Sequence, residues 1–136
     1  MTRALALAVA VLVAAGCVHY PSVTEVGGTH IRPKRGRAVL QGDRAFFYVD
    51  LESTGKYGDV LTAVQTPLAR QAILVGPSGL PVERVEVPGT TVVAFAPGAH
   101  HVVLAGFSRP LQKGEVIIVT LVFQKIGNLG VVTVVQ

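Results

Sequence analysis

Sulfur is almost missing from this sequence: its 136 residues include one cysteine, Cys17, and one methionine, Met1. A lone thiol closes no internal disulfide, so the folded part must hold together without covalent staples. Tryptophan is absent, aromatic residues make up 6% of the chain and charged residues 15%. Lys and Arg number 12 against 8 Asp and Glu, and four of the basic residues fall close together at Arg32, Lys34, Arg35 and Arg37. No aromatic residues are interleaved with them to stack on bases, so nucleic acid is excluded as the expected partner. Helical periodicity is also lacking, since beyond the N-terminus apolar residues nowhere recur at helical spacing for three turns. What remains is a chain that is 50% hydrophobic, dominated by Val and punctuated by 15 Gly and 8 Pro. β-Branched residues pack well on a pleated surface, so this composition predicts one all-β domain with a core of its own.

The N-terminus reads as an address. A basic start at Arg3, an apolar run from Ala4 to Val13 and the small residues Ala14-Ala15-Gly16 make a secretory signal peptide over residues 1–16. The run is shorter than the ~20 residues a spanning helix needs. Small residues leading directly into Cys17 resemble a bacterial lipobox, whose cysteine is acylated (palmitate being one such chain) and becomes the first mature residue. This predicts an exported lipoprotein on the extracytoplasmic face of the bacterial cell membrane. It also accounts for a lone thiol in an exported chain. With that thiol modified, cysteine nucleophiles, redox exchange and thiolate metal ligation are all excluded. Residues 17–37, with Pro21, Gly27, Gly28, Pro33 and Gly36, are expected to be the anchor cysteine and a basic tether that remains solvated or lies against anionic headgroups.

Residues 38–136 form the expected domain. Strands are predicted near 38–41, 45–52, 60–65, 71–75, 82–87, 91–95, 102–106, 116–124 and 131–135, separated by Gly, Pro and Asp turn signals. In the second of these, Ala45, Phe47, Val49 and Leu51 share one face, and Phe46, Tyr48, Asp50 and Glu52 the other. The stretch Val116–Phe123 is apolar on both faces apart from Thr120, which predicts a central, covered strand.

Several stretches resemble the PCu(A)C-type periplasmic copper chaperones. Tyr48-Val49-Asp50-Leu51-Glu52-Ser53-Thr54-Gly55 followed by Asp59-Val60-Leu61 is similar to that family's first core strand and its Thr-Gly turn. Ala96-Pro97-Gly98-Ala99-His100-His101-Val102-Val103-Leu104 is similar to its Pro-Gly turn and His-bearing strand. Arg109-Pro110-Leu111-Gln112-Lys113-Gly114-Glu115 and Thr120-Leu121-Val122-Phe123-Gln124-Lys125-Ile126-Gly127 resemble its closing strands. The likeness covers roughly residues 38–135, is most specific from Pro97 to Gly127, and is strongest to actinobacterial lipoproteins with a degenerate copper motif. It implies a cupredoxin-like Greek-key β-sandwich, copper as cargo, and a cuproprotein partner such as cytochrome c oxidase or another envelope protein.

The resemblance also implies where copper would sit. The family holds Cu(I) with a His, a Met in the following loop, and a later His-x-Met; soft Cu(I) suits thioether sulfur and imidazole. Only the second His has a counterpart, His101. The Met two residues on is Val103, the first His falls at about Leu74, and the loop Met falls between Gly79 and Val82. One imidazole does not close a Cu(I) site, so the sequence predicts a chaperone-like scaffold with a deficient copper site. The alternative is a non-metal binding or structural module that contacts another envelope protein. His100 is expected to point away from His101, and His30 to be solvated in the tether. His19 is the third residue after the predicted cut. With a free Cys17 amine, it would complete a square-planar nitrogen set for Cu(II) or Ni(II).

No enzyme is expected. The carboxylates fall mainly in turns or on polar strand faces, with no motif pairing two of them for acid–base work. Gly76-Pro77-Ser78-Gly79 lacks the spacing of a nucleophile elbow and has no helix after it. It reads as a turn.

Overall fold

Runs of Val, Ile and Leu two residues apart bury one side of an extended chain, and that side must meet another of its kind. The computed structural model describes residues 25–136. It contains ten strands: β1 (Glu25–Val26), β2 (Thr29–Gln41), β3 (Arg44–Ser53), β4 (Asp59–Gln65), β5 (Ala69–Val75), β6 (Val85–Val87), β7 (Thr91–Phe95), β8 (His101–Phe107), β9 (Val116–Phe123) and β10 (Gly127–Val135). Among the described residues there is no helix. Hydrogen bonds connect the strands in the order β5-β8-β3-β2-β10-β9-β4-β6, with β1 on β2 and β7 on β3. Pairing is antiparallel except between β2 and β10, which run parallel. The sheet curls so that its two halves face each other across one core, an all-β sandwich as expected.

Alternation along β3 works as the sequence predicts. Ala45, Phe47, Val49 and Leu51 are fully buried, in one cluster with Leu61, Val85, Phe95, Leu104, Leu121 and Leu129. Burying each such large side chain contributes ~1.5–3 kcal/mol. β9 departs from expectation. Ile117, Val119, Leu121 and Phe123 face the core, but Val116 and Ile118 on the other side are exposed. The strand is central in its hydrogen bonding, lying between β10 and β4. No second layer covers its outer face among the described residues. An apolar run reports hydrophobicity on both sides of a strand, but not whether an element arrives to cover each.

The basic tether is corrected from Glu25 onward. Thr29–Gln41 is a thirteen-residue strand, and the segment read as linker pairs with β3 from Ile31 through Lys34. Pro33 and Gly36 mislead because they serve an irregularity rather than a linker. The β2–β3 register shifts between Lys34 and Arg37, and Arg35 there has a φ of 57°. Such bulges accept Pro and demand unusual backbone. Gly36 lies so close to β10 that a Cβ would come within 2.6 Å of the Val132 carbonyl oxygen. Two of the basic side chains are spent across the strand pair: Lys34 Nζ lies 2.8 Å from Glu52, and Arg35 Nε donates to Asp50 at 2.8 Å. The Arg37 guanidinium sits 5.1 Å from the Tyr48 ring centroid.

The Thr54-Gly55 turn and Asp59 tie the start of β2 to the β9–β10 turn. Thr54 N–H donates to the His30 carbonyl at 3.0 Å, and Tyr57 N–H to the Gly28 carbonyl at 3.2 Å. A Cβ at Gly55 would come within 2.7 Å of the His30 nitrogen, so only glycine permits this backbone-on-backbone approach. The buried Asp59 carboxylate accepts three backbone N–H groups, from Val60 (2.7 Å), Lys125 (2.9 Å) and Ile126 (3.0 Å).

Candidate functional site

The turn before β8 sets the direction of its histidine. Ala99 N–H donates to the Ala96 carbonyl at 2.9 Å, Ala96 N–H to the His100 carbonyl at 3.1 Å, and Gly98 takes a φ of 79°. β8 then starts at His101, with Val102 and Leu104 buried and His101 and Val103 on the outer face, partly covered. His101 Nδ1 lies 3.2 Å from the Ala99 carbonyl oxygen. A carbonyl can only accept, so in the neutral ring the proton sits on Nδ1 and the lone pair on Nε2. The ring is held by aromatics of β3, edge-on to Phe46 at 5.7 Å and tilted to Tyr48 at 6.3 Å. Arg37 on the far side of Tyr48 completes a row across three strands.

Every other position needed to close a metal site around His101 is hydrocarbon. Val75 lies directly opposite His101 across the β5–β8 pair, and Val103 opposite Ile73. Leu74, where the resemblance sets the first family His, is paired with Val102 and buried in the core. Even a histidine at 74 would therefore point away from His101, and position 75 is the one on its face. In the following loop, Pro81 bridges to Val75 and Leu80 projects into solvent. None of these side chains has a lone pair to offer copper. His100 turns the other way, its ring 5.9 Å from that of Phe95. His30 belongs to β2 rather than to a tether and lies 3.0 Å from Thr54 Oγ1. No three His, Cys, Asp or Glu converge among the described residues. Cys17, His19 and residues 1–16, expected to be a signal peptide, lie outside the described residues.

Several acidic groups are engaged elsewhere. Glu115 takes a bidentate pair with Arg109, at 3.2 and 2.9 Å, and accepts Gln112 N–H at 2.6 Å. The Arg109 hydrogen bond and then that N–H hold its carboxyl below its ordinary value. The hydrogen bond from Lys34 does the same for Glu52. These pairs lie at the surface. Gly76–Gly79 closes as a turn, Gly79 N–H donating to the Gly76 carbonyl at 2.9 Å.

The family model described as "Putative lipoprotein LpqE-like" matches residues 24–135. The chain belongs to this LpqE-like family. No curated protein matches it. Among solved structures, the apo PCuAC domain from PmoF1 is 27% identical with a TM-score of 0.69, over 82% of this chain and 96% of that one. The copper-bound PCuAC domain from PmoF2 is 27% identical with a TM-score of 0.67, over 88% of this chain and 98% of that one. The Cu(I) form of DR1885 from Deinococcus radiodurans, at 24% identity and a TM-score of 0.66 over 82% of this chain and 79% of that one, is similar in fold. This LpqE-like chain therefore has the cupredoxin-like fold of PCuAC-type copper chaperones, as the resemblance implied. The row Arg37–Tyr48–His101–Phe46 escaped the sequence reading. Its signal was the parity of β3, which puts Phe46 and Tyr48 together; the loss came from leaving Arg37 in a tether.

Proposed function

We propose that this LpqE-like chain is an exported lipoprotein, anchored through Cys17, that retains the PCuAC scaffold without a Cu(I) site of its own. The lipobox-like Ala14-Ala15-Gly16-Cys17 and the description of the family as lipoproteins support the anchor. One observation carries the metal side of the reading: His101 shares its face with Val75, Val103 and Ile73, none of which can donate to copper. Soft monovalent copper requires several sulfur or imidazole donors converging, and a single imidazole supplies one. The domain then acts as a binding module toward another envelope protein.

A second reading follows from the tautomer of His101. With Nδ1–H fixed on the Ala99 carbonyl, Nε2 is free to ligate, an arrangement common to metal-bound histidines. His101 would then be one ligand of a copper ion shared with a cuproprotein that supplies the rest. Titration of Cu(I) into the protein alone against a competing chromophoric chelator tests the main reading. The protein should retain no stoichiometric Cu(I), with or without His101→Ala, whereas the second reading requires retention that appears only with the cuproprotein present and falls in His101→Ala. One tightly held cuprous ion, lost in His101→Ala, would defeat the main reading. For His19, Cu(II) or Ni(II) binding should occur only where mass spectrometry shows the Cys17 amine free.

A further inference from the structure

The β3–β4 turn pushes Tyr57 outward until its ring is 52% exposed. The ring rests on Gly28 of the β1–β2 turn and has two ammonium groups within 6 Å, Lys56 Nζ at 5.4 Å and Lys125 Nζ at 5.9 Å from its centroid. Lys125 also donates to the Gly58 carbonyl at 2.9 Å, which fixes its stem along the corner. Neither lysine joins an ion pair among the described residues, unlike Lys34 and Arg35. Of the nearby acids, Asp59 is buried and spent on backbone N–H groups, leaving Glu86 on the cleft shared with Lys125 and Glu25 on β1. Val26, in the same β1–β2 hairpin, is exposed too. An exposed tyrosine beside two lysines suits a headgroup layer. The ring lies at the boundary of water and hydrocarbon, and the ammonium groups reach the phosphates.

The chain itself brings this corner to a bilayer. Cys17 precedes Glu25 by eight residues, which span at most about 29 Å when extended. β2 then carries the chain away from this end for thirteen residues, a rise of roughly 43 Å. We propose that Lys56, Tyr57 and Lys125 form a docking surface for an anionic lipid bilayer, on which the β1 end of the sandwich rests. This rests on reading Cys17 as a lipid anchor and goes further, by assigning the face that meets the membrane. It displaces Lys34, Arg35 and Arg37 of β2 from that role, because the first two are neutralised across the strand pair and Arg37 lies over Tyr48.

The sequence has no tryptophan, so Tyr57→Trp gives the chain a single indole probe. Full-length protein with this change is reconstituted into phosphatidylcholine vesicles with and without phosphatidylglycerol. Its emission shifts to shorter wavelength, and aqueous quenching falls, with the anionic lipid only. In an unanchored Cys17→Ser chain, Lys56→Gln weakens partition onto anionic vesicles about fivefold, and Lys56→Gln with Lys125→Gln about thirtyfold. The amide introduced by Lys125→Gln retains a donor for the Gly58 carbonyl, and an unchanged thermal midpoint shows that the fold survives. Equal Tyr57→Trp emission in the two lipids overturns the proposal. A shift for Ile118→Trp in place of Tyr57→Trp also overturns it, by moving the contact to the apolar face of β9 and β10. Intact mass reads the anchor separately. An unacylated Cys17 with a shifted Tyr57→Trp band removes the anchor alone, and an acylated Cys17 with an unshifted band removes the docking surface alone.

Discussion

Asp59 and His101 are both polar side chains on strands of one apolar sandwich, and their surroundings are opposite. Asp59 is buried and meets three N–H donors, which join the start of β4 to the β9–β10 turn. His101 is half-buried and meets one carbonyl, two aromatic rings and a valine. Both belong to the stretches that resemble PCu(A)C chaperones. The contrast separates what that scaffold needs to fold from what it needs to hold copper. Gly55, Gly58 and Asp59 are bound into the backbone, and replacing them leaves buried groups unpaired or clashing. Around His101, Ile73 is exposed, Val103 is half-buried and Val75 is buried, and valine is as good a strand residue as a ligand would be. No donor to copper at these positions is therefore needed for the sandwich to fold.

The sharpest test of the contrast is Asp59→Ala. It strands three N–H groups and should cost about 4 kcal/mol, a large share of the ~5–15 kcal/mol typical of a domain. Asp59→Asn keeps one acceptor oxygen and should cost about half as much. Urea denaturation of both variants measures this, and a loss below about 1 kcal/mol for Asp59→Ala would erase the distinction between the two regions. His101→Ala should cost only about 1 kcal/mol, the worth of its ring contacts. A loss as large as that of Asp59→Ala would make His101 a structural residue in its own right. The smallest effect belongs to Glu115, whose pair with Arg109 is exposed. Its folded-state carboxyl titrates below the ordinary value of 4.5, so its contribution is complete above that pH and fades as pH falls through the lower folded value. Thermal midpoints of Glu115→Gln and the parent should differ slightly at neutral pH and converge in acid. A gap that widens on acidification would reverse the assignment.

Much of the fold could be read from residue order. Thr91–Phe95 is a strand with the expected ends, and the alternation of Ala45–Leu51 gave the inward face of β3. β2 was shortened because Pro33 and Gly36 signal a linker, whereas here they occupy a bulge that β3 and β10 jointly enforce. The exposed sides of Val116, Ile118, Val132 and Val134 could not be foreseen, since hydrophobicity does not say which partner is missing. At the candidate site, the shortage of donors was readable from composition. Which residue faces His101 was not: a one-residue difference in register separates Leu74 in the core from Val75 on the histidine's face.

The sequence by itself determined the chemical inventory. Beyond residue 16 the chain has a single sulfur, on Cys17, with few imidazoles and abundant β-branched residues, so strands and a donor-poor metal site follow from side-chain chemistry alone. Only the tertiary structure decided how that inventory is distributed. It brought Lys125 from the β9–β10 turn to Lys56 and Tyr57 of the β3–β4 turn, spent two basic residues of β2 on acids of β3, and turned His100 and His101 apart. Such placements depend on strand register and on long-range pairing between residues tens of positions apart, and a local pattern carries no record of which strand will lie beside it.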